Sequence, residues 1–169
     1  MVKVKYILLI MMAISIVIAG VWATGIFFQS EEKKVKKQFR NLSEWVSKEP
    51  GENTFTMVHK VKNIGTLFAE RCGLKTPVEP LTGQYTPEEI SGYATLCRSR
   101  FIKIDLIFYD LNVEFPEKEL AKVILTARLT GTLTTGEYVD EARELQCVFM
   151  KIQKKWLFSD FEVVEVLRK

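Results

Sequence analysis

A run of 23 residues without a charged side chain, Tyr6–Phe28, is the feature that most constrains how this chain can fold. As an α-helix the run would be about 35 Å long, which exceeds the roughly 30 Å hydrocarbon core of a bilayer. Aromatic residues near both ends are typical of membrane interfaces. We therefore predict that residues 1–29 form a membrane anchor that spans the bilayer with residues 6–28. A cleaved signal peptide and a buried core helix are the alternatives.

The charges beside this run give conflicting predictions of its orientation. Lys3 and Lys5 precede the run and favour a cytoplasmic N-terminus, whereas five basic residues between positions 33 and 40 favour the opposite. A basic stretch that belongs to a folded domain can still be translocated. We therefore expect a single-pass protein of the cell membrane whose domain lies outside the cytoplasm.

The composition of the chain describes an ordinary globular domain. With 47% apolar residues it is too apolar for a disordered protein, and a net charge of +3 is too small to predict nucleic-acid binding. At 169 residues one folded domain is expected, which we place at residues 30–169. Cys72 and Cys97 could form a disulfide that leaves Cys147 over, but buried, reduced thiols are equally compatible with the spacing.

Helical periodicity and capping residues predict three helices in the first part of this domain. The first helix follows Ser30 as N-cap and stops at residues 49–51. The second helix fits Thr54–Arg71, and the third runs from Pro87 to about Ser99 after a Thr cap. Lysines on the first helix face water in the simplest interpretation, although beside a membrane the same face could contact anionic headgroups.

Four long strands are predicted after these helices, because β-branched and aromatic residues replace the helical pattern. The strands cover Phe101–Val113, Ala121–Leu133, Gly136–Ile152 and Lys155–Leu167. Short connections between them indicate antiparallel neighbours. The predicted fold class is therefore α+β: an N-terminal transmembrane helix, then three helices packed on a curved antiparallel sheet of about four long strands.

The end of the chain carries a more specific pattern. An apolar strand over residues 147–152 leads into a lysine-rich turn, then Trp156 and a strand of apolar alternation. The segment at residues 67–70, the loop containing Gly83 and the helix start at residues 86–89 precede it in order. Over about residues 31–168 this arrangement resembles the nuclear transport factor 2-like superfamily, which includes SnoaL-like proteins.

This resemblance implies a sheet curled round a cone-shaped cavity that helices close. Members include isomerases, dehydratases and polyketide cyclases, non-catalytic scaffolds that dimerise through the sheet, and membrane-tethered subunits of type IV secretion systems. Because one fold serves all of these, the fold does not select a function. Enzymes of the family usually place an acid/base pair, often Asp with His or Tyr, in the cavity.

Asp105 is the strongest candidate for such chemistry, in the middle of the first long strand. By period two it shares a face with Lys103 and Tyr109. An acid pointing into an apolar cone would have a raised pKa and could act as a base, with His59 or Tyr109 as helper. We nevertheless favour a water-facing stripe of Lys103 and Asp105 that pairs with charges such as Arg128 across the sheet. His59 is a lone helical histidine, which is more typical of a boundary position than of a catalytic one.

Several classes of site have no motif in this sequence. The Walker A, GxGxxG, HExxH and GxSxG patterns are absent, and no Cys/His cluster predicts zinc. The acidic residues of the last two strands are typical of cross-strand ion pairs rather than of a metal site. We therefore expect neither cofactor nor metal. Four tyrosines could still line a cavity: Tyr85, Tyr93, Tyr109 and Tyr138.

These observations favour a membrane-anchored, non-catalytic interaction domain of unknown specific role over an enzyme. Such a domain would bind a protein partner or form a homodimer through the exposed face of its sheet. The first alternative is a small-molecule-binding or isomerase/dehydratase-type cone domain that uses Asp105 and takes an apolar ligand. The second is a subunit of a membrane secretion complex.

Overall fold

The computed structural model describes residues 29–77 and 81–164 of the chain. The predicted membrane segment lies outside these residues, and among the helices within them none is both long and apolar enough to cross a bilayer. The chain divides into two units, of which Val35–Lys169 contains all of the sheet.

The described residues form three helices and six strands, which confirms the predicted α+β class. Helix α1 covers residues 29–46, and α2 (Thr54–Gly65) and α3 (Pro87–Ser99) follow it. The strands are β1 (Phe68–Lys75), β2 (Gly83–Tyr85), β3 (Phe101–Glu117), β4 (Leu120–Leu133), β5 (Tyr138–Ile152) and β6 (Lys155–Val164). They make one sheet in the order β2-β1-β6-β5-β4-β3.

The four long strands pair as an antiparallel meander, as predicted. The connection between β5 and β6 is a two-residue turn in which Gln153 and Lys154 have φ of 49° and 68°. Two positive φ values match the right-handed twist of the strands that the turn joins. Alternation along β4 places Val123 and Leu125 in the core and Lys122 on the other face, also as predicted.

The second helix ends six residues earlier than the predicted Thr54–Arg71. After Gly65 the chain enters β1, which pairs in parallel with β6 and antiparallel with β2. The backbone N–H of Phe158 donates to the carbonyl of Leu67 at the start of this pairing (2.9 Å). Helical propensity is a weak preference that a sheet ladder and the burial of Phe68 and Cys72 override. The sheet is therefore mixed and has six strands rather than four.

The helix ends show which local signals determine a boundary. Asn53 caps α2 by accepting from the N–H of Thr56 (2.8 Å), and Thr86 forms a capping box with Glu89 at the start of α3. Ser30 lies inside α1 rather than at its cap. Helix α1 ends at residue 46, before the predicted stop, because the following residues pair with the edge of β3: Lys48 and Ile104 exchange backbone hydrogen bonds of 2.8 and 3.0 Å.

The core lies between the helices and one face of the sheet. At its centre the ring of Phe39 contacts those of Phe108, Phe149 and Phe158 at centroid distances of 5.2 to 5.3 Å. Aromatic pairs in such edge-on geometry stabilise a core beyond the area they bury. Trp156 is also buried at the start of β6. This part of the cone is filled by side chains.

Candidate functional site

Next to the filled core, the cone contains an open cavity of about 720 Å³. Helices α1 and α3 and strands β1, β2, β3 and β6 all contribute to its wall. Most of the lining side chains are aliphatic or aromatic: Leu42, Val46, Phe68, Leu74, Leu81, Ile90, Leu96, Leu106 and Phe161. Volume and apolar character are those of pockets that hold small molecules in proteins.

Helix α3 contributes most of one wall because its lining residues recur every three or four positions. Ile90, Tyr93, Leu96 and Cys97 therefore lie on one face of the helix. The capping box at the start of α3 fixes where this face begins. Its close packing against α2 also depends on Gly65, where an added Cβ would lie 2.6 Å from the hydroxyl oxygen of Ser91.

The polar groups of the lining are few. Arg100, directly after α3, is the only charged side chain among the described lining residues. The hydroxyl of Tyr85 donates to the carbonyl of Leu81 (2.9 Å), and its ring meets that of Tyr93 edge-on at 5.4 Å. The cavity therefore offers one cation and two phenols on an apolar surface.

Two thiols also line the cavity, Cys72 from β1 and Cys97 from α3. Burial, with a smaller contribution from the charge of Asp160, raises the pKa of Cys72 to about 12. Burial also raises the pKa of Cys97, although Arg100 and Arg98 oppose the shift. Both thiols are thus protonated at neutral pH and are weak nucleophiles. All three cysteines are free, so Cys72 and Cys97 do not form the disulfide that their spacing permits.

The entrance to the cavity is apolar. Three of the large lining side chains are also exposed to solvent: Leu81, Tyr93 and Leu96, at 44%, 52% and 62%. Large apolar side chains that line a cavity and reach the surface mark its opening. An apolar molecule can therefore contact matching surface before it is enclosed.

A buried arginine holds the end of α1 over this cavity. Arg98 of α3 is 1% exposed, and its Nη1 donates to the carbonyls of Trp45 (2.7 Å), Val46 and Ser47 (2.9 Å). Its Nη2 donates to the carboxylate of Glu52. These carbonyls belong to the last turn of α1 and to the residue that follows it, where no helical N–H is available to donate. The guanidinium therefore caps the helix and fixes Val46, a lining residue.

Glu52, the carboxylate that binds Arg98, is held ionised by two cations. Lys60 Nζ lies 2.8 Å from a carboxylate oxygen of Glu52 and also donates to the carbonyl of Ser47 (3.0 Å). Burial alone would raise the pKa of Glu52, but hydrogen bonds and charge from Lys60 and Arg98 outweigh it and leave the pKa below its usual 4.5.

The structure brings none of the three predicted site residues to the cavity. Asp105 and Tyr109 lie on the outer face of the sheet, because Leu106, next to Asp105, faces the cavity. The carboxylate of Asp105 is 3.6 Å from Lys103 Nζ. His59 is exposed on α2, with its Nε2 3.0 Å from the side-chain amide of Asn63. Asp105 pairs across the sheet with Thr130, not with Arg128.

Arg128 instead binds Asp140, on the outer face of the sheet. Its guanidinium donates two hydrogen bonds to the carboxylate, of 2.8 and 2.7 Å. Other acids of the last two strands are exposed or paired on the surface, for example Glu141 with Arg143. Within residues 29–77 and 81–164 no group of three or more His, Cys, Asp or Glu side chains is placed to hold a metal ion.

Sequence reasoning found part of the cavity but missed Arg100, which lines it, and Arg98, which fixes the end of α1. Tyr85 and Tyr93, two of the four tyrosines considered, do line the cavity. Arg98 and Arg100 were not singled out, since a basic residue at a helix end is common. The apolar spacing of α3 that ends in these residues was the signal that could have indicated them.

The fold of the described residues is shared by many solved structures. The dehydrochlorinase LinA superposes with a TM-score of 0.66 at 14% identity, over 80% of this chain and 86% of that chain. The LinA type 3 hexachlorocyclohexane dehydrochlorinase of Novosphingobium barchaimii gives 0.65 at 13%, over 80% and 86%. A scytalone dehydratase-like protein of Novosphingobium aromaticivorans gives 0.63 at 14%, over 82% and 86%. The domain has the nuclear transport factor 2-like cone fold.

At these identities the likeness establishes the cone fold and not the activity. No protein-family model and no curated protein sequence matches this chain. The preference for a non-catalytic interaction domain is nevertheless corrected. Structural neighbours of the cone domain are named as enzymes, and its cone is open rather than plugged, which favours the small-molecule alternative.

Proposed function

We propose that the cone domain binds an apolar small molecule that carries one anionic or hydrogen-bond-accepting group. The observation that carries this proposal is the cavity of about 720 Å³, whose described lining contains a single charged side chain, Arg100. A pocket of mainly apolar walls with a few polar groups is the usual form of a small-molecule site.

The chemistry of the lining defines the ligand. Each Å² of apolar surface that the ligand buries contributes about 25 cal/mol, so the walls supply affinity with little directional preference. Arg100 supplies direction, because a guanidinium can bind both oxygens of a carboxylate in parallel. The hydroxyl of Tyr93 adds a donor on the same helix face. The best ligand is therefore an aromatic or aliphatic acid.

Turnover of the bound molecule is the second candidate function, favoured by the enzyme neighbours. Two of them are named for hexachlorocyclohexane, which like our proposed ligand is small and apolar. Elimination requires a base near the proton that leaves. The described lining offers neither carboxylate nor imidazole, and its thiols are protonated, so binding is the function that this cavity supports best.

We further propose that residues 6–28 hold the cone domain at the outer surface of the cell membrane. The support is the length and lack of charge of that segment. A tethered cone with an apolar entrance would take up ligands that partition into the bilayer.

The test compares naphthalene-2-carboxylate with the neutral naphthalene-2-carboxamide as probes. Binding to the full chain in a non-ionic detergent is followed by saturation-transfer NMR and by thermal shift. We expect the carboxylate to bind more tightly, and Arg100→Met to remove that preference by weakening carboxylate binding about tenfold. Cys97→Trp, which fills the cavity from α3, should abolish binding of both probes.

Arg71→Met is the matched control, because Arg71 is exposed on β1 and does not line the cavity. Unchanged binding in the Cys97→Trp variant would refute the proposal. For the second candidate, the full chain is incubated with hexachlorocyclohexane and chloride is measured. Chloride release that Cys97→Trp abolishes would support turnover, and no release above a blank would exclude this substrate.

A further inference from the structure

A second concave site lies on another side of α1, and we propose that it binds the headgroup of an anionic phospholipid. This groove has a volume of about 360 Å³ and lies between α1 and β3. We call it the edge groove. Helix α1 contributes Lys36, Phe39, Arg40 and Ser43, and β3 contributes Ile107, Phe108 and Leu111. None of these residues lines the cone cavity, so the inference rests on the membrane anchor proposed above and not on the cavity ligand.

The edge groove begins at the point along β3 where the open edge of this strand no longer has hydrogen-bonding partners. β3 is the last strand of the sheet, so one side of its backbone has no neighbouring strand. The hydroxyl of Ser43 donates to the carbonyl of Leu106 (2.5 Å), and the N–H of Leu106 donates to the hydroxyl of Ser47 (3.1 Å). Together with the pairing of Lys48, these bonds cover the edge as far as Leu106.

Beyond Leu106 the strand changes course. Its register with β4 shifts between Tyr109 and Asn112, and Asp110 has a φ of 54°. A bulge of this kind bends the strand that contains it. The space between the bent strand and α1 is the edge groove, with Leu111 in its wall.

The edge groove combines two cations with an apolar surface. Lys36 and Arg40 are four residues apart and therefore lie on the same face of α1, one turn from each other. Arg40 is exposed and can donate two hydrogen bonds to one phosphate group, and Lys36 adds positive charge beside it. Ile107, Phe108 and Leu111 of β3 provide apolar surface for the glycerol and the first methylenes of a lipid.

The position of the groove in the chain favours a lipid as its occupant. The predicted membrane segment ends at residue 28, eight residues before Lys36. Basic side chains next to a membrane are attracted to anionic headgroups of the leaflet that they face. An acidic peptide could instead extend the sheet at β3, but a peptide would not require the cations to lie on the helix that follows the membrane segment.

Hydrogen exchange of the full chain tests this proposal in mixed micelles of a non-ionic detergent. The micelles contain phosphatidylglycerol or, at the same mole fraction, phosphatidylcholine with identical acyl chains. We expect phosphatidylglycerol, and not phosphatidylcholine, to slow exchange of the amides of residues 107–111. The charge-reversed pair Lys36→Glu and Arg40→Glu should weaken the apparent affinity for phosphatidylglycerol at least tenfold.

The control pair Lys33→Glu and Lys37→Glu changes the net charge equally on the same helix but outside the groove. An equal loss of affinity for phosphatidylglycerol in both double variants would overturn the proposal, since the lipid would then be attracted by the charge of the whole helix and not by the groove. Equal protection by both lipids would overturn it too, as would protection by an acidic peptide and not by lipid. Hydrogen exchange of the β4 and β5 amides reports whether each double variant folds. If the variant with Lys36→Glu and Arg40→Glu does not fold, Lys36→Gln and Arg40→Gln replace it.

Discussion

Replacing Arg98 by methionine should strongly destabilise this protein. Arg98 is buried, yet its guanidinium binds three carbonyls at the end of α1 and the carboxylate of Glu52. Methionine keeps much of the side-chain volume and removes every donor. The expected loss in the free energy of unfolding is about 3–5 kcal/mol, as for other buried ion pairs from which one partner is removed.

The magnitude follows from what the substitution leaves behind. Glu52 would keep only Lys60 as a charged partner, and the carbonyls of Trp45 and Ser47 would lose donors in a buried position. Each unsatisfied buried group costs about 1–3 kcal/mol, and the terms are not additive because the groups form one network. At roughly 3 °C per kcal/mol the midpoint of thermal unfolding should fall by about 10 °C.

Urea titration of the full chain in a non-ionic detergent, followed by tryptophan fluorescence, measures this loss. Arg128→Met serves as control, since Arg128 makes two good hydrogen bonds to Asp140 but on the exposed face, where ion pairs contribute little. We expect no measurable change in the control. A loss below about 1 kcal/mol for Arg98→Met would refute the assignment of Arg98 as the cap of α1.

The same network predicts a pH dependence. Because the folded pKa of Glu52 lies below its unfolded value, its contribution is complete above about 4.5 and is lost as the pH falls through the folded pKa. The wild-type protein should therefore lose stability below pH 4.5. In Arg98→Met the loss of stability at low pH should be smaller, because one of the two cations that hold Glu52 ionised is gone. If the free energy of unfolding falls with pH below 4.5 as steeply in the variant as in the wild-type protein, the pairing of Arg98 with Glu52 is contradicted.

Four further predictions concern other parts of the fold. Gly131→Ala should lower stability by about 1–3 kcal/mol in urea titration, because the new Cβ would lie 2.4 Å from the carbonyl oxygen of Lys103. Gly92→Ala, where nothing lies within 4 Å on α3, should instead stabilise by about 0.5–1 kcal/mol. Iodoacetamide at pH 7.5 should label Cys97, which reaches solvent although partial burial of its thiol raises its pKa. It should reach Cys72 only after unfolding, since that thiol is buried with a pKa of about 12; equal labelling rates would show that the cavity wall opens. Asp105→Asn should leave probe binding in the cavity unchanged by NMR, because Asp105 lies on the outer face of the sheet, and a loss of binding would place it at the cavity after all.

Much of the fold could be predicted from the sequence because its signals are local. A side chain at the start of a helix either can or cannot accept from the backbone, so Asn53 and Thr86 mark the beginnings of α2 and α3 directly. Alternation with period two and short turns between long strands likewise predicted the β3–β6 meander. The cone fold itself was implied by the resemblance to the nuclear transport factor 2-like superfamily, which the order of these elements and the pattern around Trp156 carry.

The candidate site could be predicted only in part, because it depends on which elements meet. Period two placed Lys103, Asp105 and Tyr109 on one face of β3, as they are. It could not tell whether the helices would cover that face or the other. The helices pack on the face of Ile104 and Leu106, so the predicted acid lies outside the cavity and Tyr85 and Tyr93 lie within it.

The sequence by itself determined the starts of α2 and α3, the long strands and the uncharged N-terminal segment, since each depends on neighbours within a few residues. Only the tertiary structure decided that residues 68–75 form a strand, because the partner that makes a strand favourable there is β6, more than 80 residues away. It also decided that Arg98 is buried and Arg100 borders the cavity, although both are basic residues at the end of one helix. Burial and pairing are properties of the contact between distant segments, and no local pattern of residues contains them.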